Sequence, residues 1–208
     1  SDTVTLPSNE MREVISSAKL GDDVFGEDPT VNMLEEKAAK IMGKESGLLV
    51  PSGTMGNLVS ILVHCQRGTE IILGDQAHTF IYEAGGISAF GGIHSRQLKN
   101  QSDGTINVED IKTAIRMDNV HFPKTAAITL ENTHNLCNGS PLSAEYTNEV
   151  AQIAHNNNMM LHIDGARIFN ASVKLKKPIN RLVKDADSIS CCLSKGLSSP
   201  VGSLIVGD

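Results

Sequence analysis

The stretch MMLHIDGAR, residues 159–167, places an apolar run directly before a carboxylate, a glycine and an arginine. A run that is apolar at consecutive positions is typical of a strand covered on both faces. Short runs of this kind alternate along the chain with longer segments of helical period. That alternation predicts an α/β layered domain rather than a helical bundle or a β-sandwich.

Seven apolar runs and five segments of helical period are long enough to assign. The predicted strands are Gly47–Val50, Glu70–Leu73, Ile93–Leu98, Thr125–Leu130, Met159–Ile163, Asp187–Leu193 and Ser203–Val206. The predicted helices are Glu10–Lys19, Val31–Met42, Gly56–Cys65, Val108–Arg116 and Ala144–Asn156. Several helices carry start signals, such as Asn107 before Val108 and Ser143 before Ala144.

The composition is that of a folded globular chain. Its 208 residues are 40% hydrophobic and 20% charged, which excludes disorder and fibrous structure. A formal net charge of -6 and the lack of any long basic run argue against a nucleic-acid partner. No window approaches the roughly 18 apolar residues of a membrane-spanning helix, and no signal sequence opens the chain, so we expect a cytoplasmic protein. The 4 cysteines fit neither a disulfide framework nor a CxxC metal motif, and we interpret them as reduced.

A glycine-rich turn, Pro51–Asn57, lies between a predicted strand and a predicted helix. Such a junction offers unpaired backbone N–H groups and the positive end of a helix dipole, and Thr54 adds a hydroxyl, so a phosphate could bind there. The turn is neither a GxGxxG nor a Walker motif, which argues against a nicotinamide-binding domain. The alternative is a strand-to-helix turn that needs glycine only for backbone freedom.

Asp164 and Arg167 follow the predicted strand of the opening stretch. Ligands of open α/β sheets bind beyond the carboxyl ends of the strands, so both residues lie where a site is expected. The alternative is that the two side chains form an ion pair that caps the turn.

Lys195 follows another apolar run and lies between Ser194 and Gly196. A partly desolvated lysine at such a strand end can act as an amine nucleophile towards a carbonyl. The alternative is a surface lysine whose stem lies along apolar side chains.

Two of the seven histidines, His78 and His134, also follow predicted strands. They fall on the loop side of the sheet, where Asp164 and Lys195 also fall, and so complete a convergent set. A metal site at this pair is not expected, because no HxH, HExxH or Cys/His spacing supports it. We interpret the other five histidines as structural or exposed.

A phosphate turn, an aspartate that ends one strand and a lysine that follows a later one are the parts that hold pyridoxal 5'-phosphate. Six segments with these features together resemble low-specificity L-threonine aldolases, which belong to the fold type I (aspartate aminotransferase-like) pyridoxal-phosphate enzymes. The segments are Ser1–Thr5, Gly21–Thr30, Pro51–Asn57, Glu131–Asn135, His162–Arg167 and Leu193–Leu197.

The resemblance implies a role for each candidate residue. Lys195 would hold the cofactor covalently as a Schiff base, Asp164 would bind the pyridine nitrogen, and Gly53 and Thr54 would bind the phosphate. Arg167 would contact the ring oxygen or the substrate carboxylate, which Ser1 would also help to bind. His78 would stack on the ring and orient the substrate hydroxyl, and His134 would lie beside that hydroxyl as a candidate base.

The resemblance also implies a fold and an activity. The fold would be a three-layer α/β/α large domain with a mostly parallel seven-stranded sheet, and the family's small C-terminal domain would be absent from residues 1–208. The reaction would be aldol cleavage of L-threonine or L-allo-threonine to glycine and acetaldehyde. A homotetramer built from dimers is expected, with residues 1–30 near the interface. The alternatives are another lyase or racemase on the same scaffold, or a non-catalytic cofactor-binding subunit.

Overall fold

A seven-stranded sheet runs through the centre of the computed structural model, which describes residues 1–208. The strands are β1 (Ser46–Val50), β2 (Glu70–Gly74), β3 (His94–Leu98), β4 (Thr125–Glu131), β5 (Met160–Asp164), β6 (Ser188–Cys192) and β7 (Ser203–Gly207). Their order in the sheet is β1-β7-β6-β5-β4-β2-β3. Pairing is parallel from β6 through β3, and β7 is antiparallel to both of its neighbours. All seven predicted strands and the mostly parallel sheet are confirmed.

The side chains of β2 show why the sheet has helices on both faces. Ile71, Ile72 and Leu73 are all fully buried, although successive side chains of a strand point to opposite faces. Ile72 belongs to the larger core of 27 buried residues, which the sheet shares with α2, α6, α7, α8 and α9. Ile71 and Leu73 belong to a second core of 7 residues with α3 and α5. The two cores make the domain three layers thick, as expected.

The chain forms nine α-helices. They are α1 (Asn9–Ser17), α2 (Pro29–Met42), α3 (Gly53–His64), α4 (His78–Ile81), α5 (Gly86–Ala89), α6 (Val108–Ala114), α7 (Ala144–Asn156), α8 (Ile168–Leu175) and α9 (Ile179–Leu182). Single 3-10 turns lie at Asp2–Val4 and Asp23–Phe25. None of these helices is long and apolar enough to cross a bilayer.

The sequence interpretation missed four helices and began another too late. Helices α4, α5 and α9 are one turn long, which is too short to show a helical period, and α8 begins without a side-chain cap. Helix α3 begins at Gly53 instead of Gly56, because Ser52 caps it by accepting from the main-chain N–H of Met55 at 3.1 Å. Gly53 and Thr54 therefore lie in the first turn of the helix.

The parallel register brings the loops after β2, β4, β5 and β6 to one edge of the sheet. Gly165 allows the loop after β5 to approach β6 closely, since a Cβ atom there would lie 2.7 Å from the main-chain oxygen of Ser190. The candidate residues that follow these strands are thus carried to the same edge.

Candidate active site

A cleft of about 1080 Å³ opens at this edge of the sheet. Its walls come from the N-terminal segment, the turn before α3, helix α4 and the loops after β5 and β6. Seven of the eight candidate residues line it, and these are Ser1, Gly53, Thr54, His78, Asp164, Arg167 and Lys195. The structure does not bring the eighth, His134, to the cleft.

The first turn of α3 forms one wall. Residues Gly53 and Thr54 begin the helix, so their main-chain N–H groups have no partner within it. A Cβ atom on Gly53 would lie 2.8 Å from the sulfur of Cys192, so only glycine lets the turn lie against β6. The open N–H groups at the start of this helix can bind an anion.

Asp164 ends β5 and is 4% exposed. Its carboxylate accepts hydrogen bonds from Asn57 Nδ2 at 2.9 Å and from the main-chain N–H of Ala166 at 3.1 Å. The alternative of a capping ion pair between Asp164 and Arg167 is wrong. Arg167 instead binds the carboxylate of Asp2 through Nε at 2.6 Å and Nη2 at 3.0 Å. That guanidinium holds the pKa of Asp2 below its ordinary value.

Lys195 lies half-buried in the loop after β6. Its amine is 3.4 Å from the sulfur of Cys192 and forms no salt bridge with a carboxylate. Its main-chain oxygen accepts from the hydroxyl of Thr5 at 2.8 Å, which fastens the N-terminal segment to this loop. A lysine that lines the cleft without an ionic partner matches the nucleophile interpretation better than a surface role.

His78 is the first residue of α4, and buried carboxyl groups hold it in place. Its Nδ1 lies 2.8 Å from Oε1 of Glu83, and its main-chain N–H donates to Oε2 of Glu131 at 2.8 Å. The ring centroid is 5.5 Å from that of Tyr82. The hydrogen bond with Glu83 raises the pKa of His78 above its ordinary value.

His134 is 1% exposed and neither ring nitrogen has a hydrogen-bond partner. Burial lowers the pKa of His134 and so favours the neutral form of its imidazole. The nearest carboxylate is that of Glu131, with 3.9 Å between His134 Nε2 and Glu131 Oε2. The next residue, Asn135, lines the cleft in its place.

A buried network of hydrogen bonds, which the sequence interpretation missed, lies beneath the cleft. Asn57, in α3, accepts at Oδ1 from the hydroxyl of Ser190 at 2.7 Å and lies 3.1 Å from His162 Nε2. Ser188 Oγ lies 2.8 Å from His162 Nδ1 and 2.7 Å from His64 Nε2. Complete burial lowers the pKa of His162 to about 4. The network joins α3 to β5, which Asp164 ends, and to β6, which precedes the loop of Lys195.

Two buried glutamates were also missed as site residues. Glu83 and Glu131 are 5% and 4% exposed, and both face His78. Burial, reinforced by the Asp164 carboxylate, raises the pKa of Glu131 to about 7. Burial likewise raises the pKa of Glu83. The position of Glu131 at the end of an apolar run was a usable signal, whereas Glu83 lies on no strand and had none.

Three kinds of comparison relate this chain to known proteins. The sequence profile of the beta-eliminating lyase family matches residues 1–208. The chain is 55% identical over its whole length to low-specificity L-threonine aldolase 1 of Arabidopsis thaliana, of which it covers 59%. It is 45% identical to the low specificity L-threonine aldolase of Escherichia coli K12, of which it covers 62%.

Solved structures share the fold at lower identity. The threonine aldolase of Leishmania major has a TM-score of 0.82 at 17% identity, with 100% of this chain and 61% of that chain covered. A putative L-allo-threonine aldolase of Listeria monocytogenes has a TM-score of 0.79 at 20% identity, with 98% and 57% covered. The chain thus spans about three fifths of the length of these proteins.

The depressed pKa of His162 predicts a loss of stability in acid. Between about pH 4 and its ordinary pKa of 6.5, the unfolded chain binds a proton at this histidine and the folded chain does not. The free energy of unfolding should therefore fall by on the order of 1 kcal/mol per pH unit as the pH drops through this window. In His162→Gln this contribution disappears, so the difference between wild type and variant should shrink in acid.

Urea denaturation of both proteins at several pH values between 4 and 7 measures the effect. The raised pKa of Glu131 acts in the opposite direction, but it is common to both proteins and cancels in the difference. His121→Gln, at an exposed histidine whose side chain forms no hydrogen bond or ion pair, is the control and should keep the wild-type slope. A constant difference between wild type and His162→Gln across this range would contradict the prediction.

Proposed function

The chain belongs to the beta-eliminating lyase family, and we propose that it forms the cofactor-binding part of a pyridoxal-phosphate enzyme that cleaves L-threonine and L-allo-threonine to glycine and acetaldehyde. The observation that carries the proposal is the convergence on one cleft of a buried carboxylate, an amine without an ionic partner and the open first turn of a helix. The names of the relatives at 45% and 55% identity support the same reaction.

The residues present fit the cofactor. Gly53 and Thr54 would bind its phosphate with main-chain N–H groups of α3 and the Thr54 hydroxyl. Asp164, which is fixed by Asn57, would hold the proton of the ring nitrogen, and Lys195 would hold the group covalently. Pyridoxal phosphate, when bound, supplies a ring that accepts the electrons of a bond broken at the α-carbon of an amino acid.

The substrate carboxylate is assigned to Arg167 and Ser1. The Arg167 guanidinium binds the two oxygens of the Asp2 carboxylate with two nitrogens, and a substrate carboxylate would take the place of Asp2 there. Ser1 lines the same wall of the cleft. Two fixed contacts of this kind would orient the Cα–Cβ bond that breaks.

His78 is assigned as the group that receives the proton of the substrate hydroxyl. Its ring lines the cleft, while its Nδ1 is engaged by Glu83, so Nε2 is the nitrogen available to substrate. An imidazole in this position favours a hydroxylated substrate over that of a β-eliminating lyase or a racemase. His134 stays a predicted base, acting from behind the cleft wall through water.

Replacing the lysine tests the covalent attachment. Lys195→Ala should lose the near-visible absorbance band of the bound cofactor and the label that borohydride reduction leaves on the protein, because no other amine is expected to replace it. Absorption spectra and peptide mapping of the reduced protein measure both. Lys174→Ala, an exposed lysine of α8, should retain them. A labelled peptide that survives in Lys195→Ala would remove Lys195 from this role.

Replacing the histidine tests the base. His78→Phe keeps a flat ring in the cleft but removes the proton acceptor, so threonine cleavage should fall by about 10²- to 10⁴-fold while cofactor is retained. Acetaldehyde release and cofactor absorbance are measured on the same samples. The control is His121→Phe, at an exposed histidine remote from the cleft. Unchanged turnover in His78→Phe would show that another group takes the proton.

We also infer that the chain acts as a homo-oligomer in which residues 1–30 contact a second copy. This segment carries large apolar side chains in solvent, including Leu20 at 84%, Val24 at 86% and Phe25 at 75% exposure. Such a concentration of exposed apolar surface is typical of an interface. Because Asp2 and Thr5 bind residues of the cleft, the same contact would lie close to the site.

A charge in this segment should therefore weaken the assembly. Phe25→Asp is expected to lower the native mass measured by light scattering after gel filtration, because the carboxylate would have to be buried in the interface. Val120→Asp, at a residue that is 97% exposed outside the segment, is the control. An unchanged mass for Phe25→Asp would place the interface elsewhere.

A further inference from the structure

We propose that Glu83 is a positioning residue that fixes the tautomer and orientation of His78 and strengthens it as a proton acceptor, and that Asn57 holds Glu83 in place. The inference deepens the proposed function and rests on it for the reaction.

Glu83 contacts the His78 ring inside the protein, away from the cleft. Its side chain is 3% exposed and lies outside the cleft lining, whereas the side chain of His78 is 28% exposed and lines the cleft. The 2.8 Å contact joins His78 Nδ1 to Glu83 Oε1, and no protein atom hydrogen-bonds to Nε2. One ring nitrogen is thus engaged inside the protein and the other faces the cleft.

The Asn57 amide holds the Glu83 carboxyl group in place. Its Nδ2 donates to Glu83 Oε1 at 2.7 Å and to Asp164 Oδ2 at 2.9 Å. Its Oδ1 accepts from the Ser190 hydroxyl, so a reversed amide would place its oxygen against two carboxylates and its NH₂ group against that hydroxyl. The amide is 1% exposed and all four of its hydrogen bonds are made, which leaves it a single orientation.

The tautomer of His78 follows from this arrangement. Oε1 of Glu83 receives the Asn57 amide hydrogen, whereas Oε2 is buried without a partner. Ionised Glu83 can only accept, so its Oε1 accepts from His78 Nδ1 as well as from the Asn57 amide. The hydrogen of the neutral imidazole must then be on Nδ1. The lone pair of Nε2 is left to receive a proton from the cleft.

Charge strengthens the same acceptor. Three carboxyl groups surround His78. Glu83 contacts the ring at Nδ1, and Glu131 accepts from the main-chain N–H of His78. A carboxylate oxygen of Asp164 lies within 4.8 Å of a ring nitrogen of His78 and of a carboxylate oxygen of Glu83. All three favour the imidazolium, and the hydrogen bond with Glu83 is the largest cause of the raised pKa. A carboxylate behind an imidazole plays the same two roles in a catalytic triad, where it sets the tautomer and stabilises the charge that forms.

The test is the titration of His78 itself in protein without added cofactor. Diethyl pyrocarbonate reacts with neutral imidazole, so the rate of modification of the His78 peptide against pH, followed by mass spectrometry, gives its midpoint. Glu83→Gln should lower that midpoint by about one pH unit, a tenfold loss of proton affinity, because the charge is removed and the shape is kept. Glu83→Asp keeps the charge and should restore part of the shift. Glu109→Gln, an exposed glutamate of α6, should leave the midpoint unchanged.

Kinetics supply a second readout. In Glu83→Gln the acid limb of kcat/KM for threonine should move to lower pH with the midpoint of His78, and the plateau should fall at least about tenfold, as expected for a weaker base. A purely structural role would lower the melting temperature without moving either midpoint. A His78 midpoint equal to that of wild type in folded Glu83→Gln would overturn the inference. If wild type failed to cleave threonine, the proposed function would fail, while the modification titration would still decide the role of Glu83.

Discussion

Three carboxyl groups, Glu83, Glu131 and Asp164, are buried beneath one cleft, and the rest of the site follows from how the fold accommodates them. Carboxylates removed from water need hydrogen-bond donors, and neighbouring like charges raise one another's pKa. The donors here are the Asn57 amide, the ring Nδ1 of His78 and the main-chain N–H groups of His78, Asn135 and Ala166. No arginine or lysine neutralises the cluster directly. Hydrogen-bond dipoles that the fold fixes in position therefore stabilise the negative charges. Because no permanent cation neutralises these carboxylates, His78 can gain or lose a proton beside them.

The Asn57 amide has a special place in this arrangement because it connects two layers. It lies on α3, which also supplies the first-turn N–H groups at Gly53 and Thr54. Its four hydrogen bonds reach β5, β6 and Glu83, which follows α4. Movement of α3 would thus disturb the proposed phosphate site, the ring-nitrogen partner and the proton acceptor together. Such coupling makes the site a rigid unit, as pre-organised catalysis requires.

The N-terminal segment belongs to the site as much as the strands do. Asp2 binds Arg167 and Thr5 binds the loop of Lys195, across separations of 165 and 190 residues. The charge pair that a local interpretation assigned to Asp164 and Arg167 does not form, because each side chain finds a partner distant in sequence. Asp164, at the end of β5, accepts a hydrogen bond from the Asn57 side-chain amide, and the Arg167 guanidinium binds the carboxylate of Asp2 near the start of the chain.

The sequence by itself predicted the seven strands, the mostly parallel sheet and seven of the residues that line the cleft. The reason is that fully buried strands must be apolar on consecutive positions, as Ile71 to Leu73 are, and that parallel strands end at one edge, so the residues after them meet. Only the tertiary structure decided that Glu83 contacts both His78 and Asn57, that Asp2 pairs with Arg167, and that His134 is buried outside the cleft lining. These depend on which side chains of distant segments come within hydrogen-bond reach, and no periodicity or spacing along the chain records that.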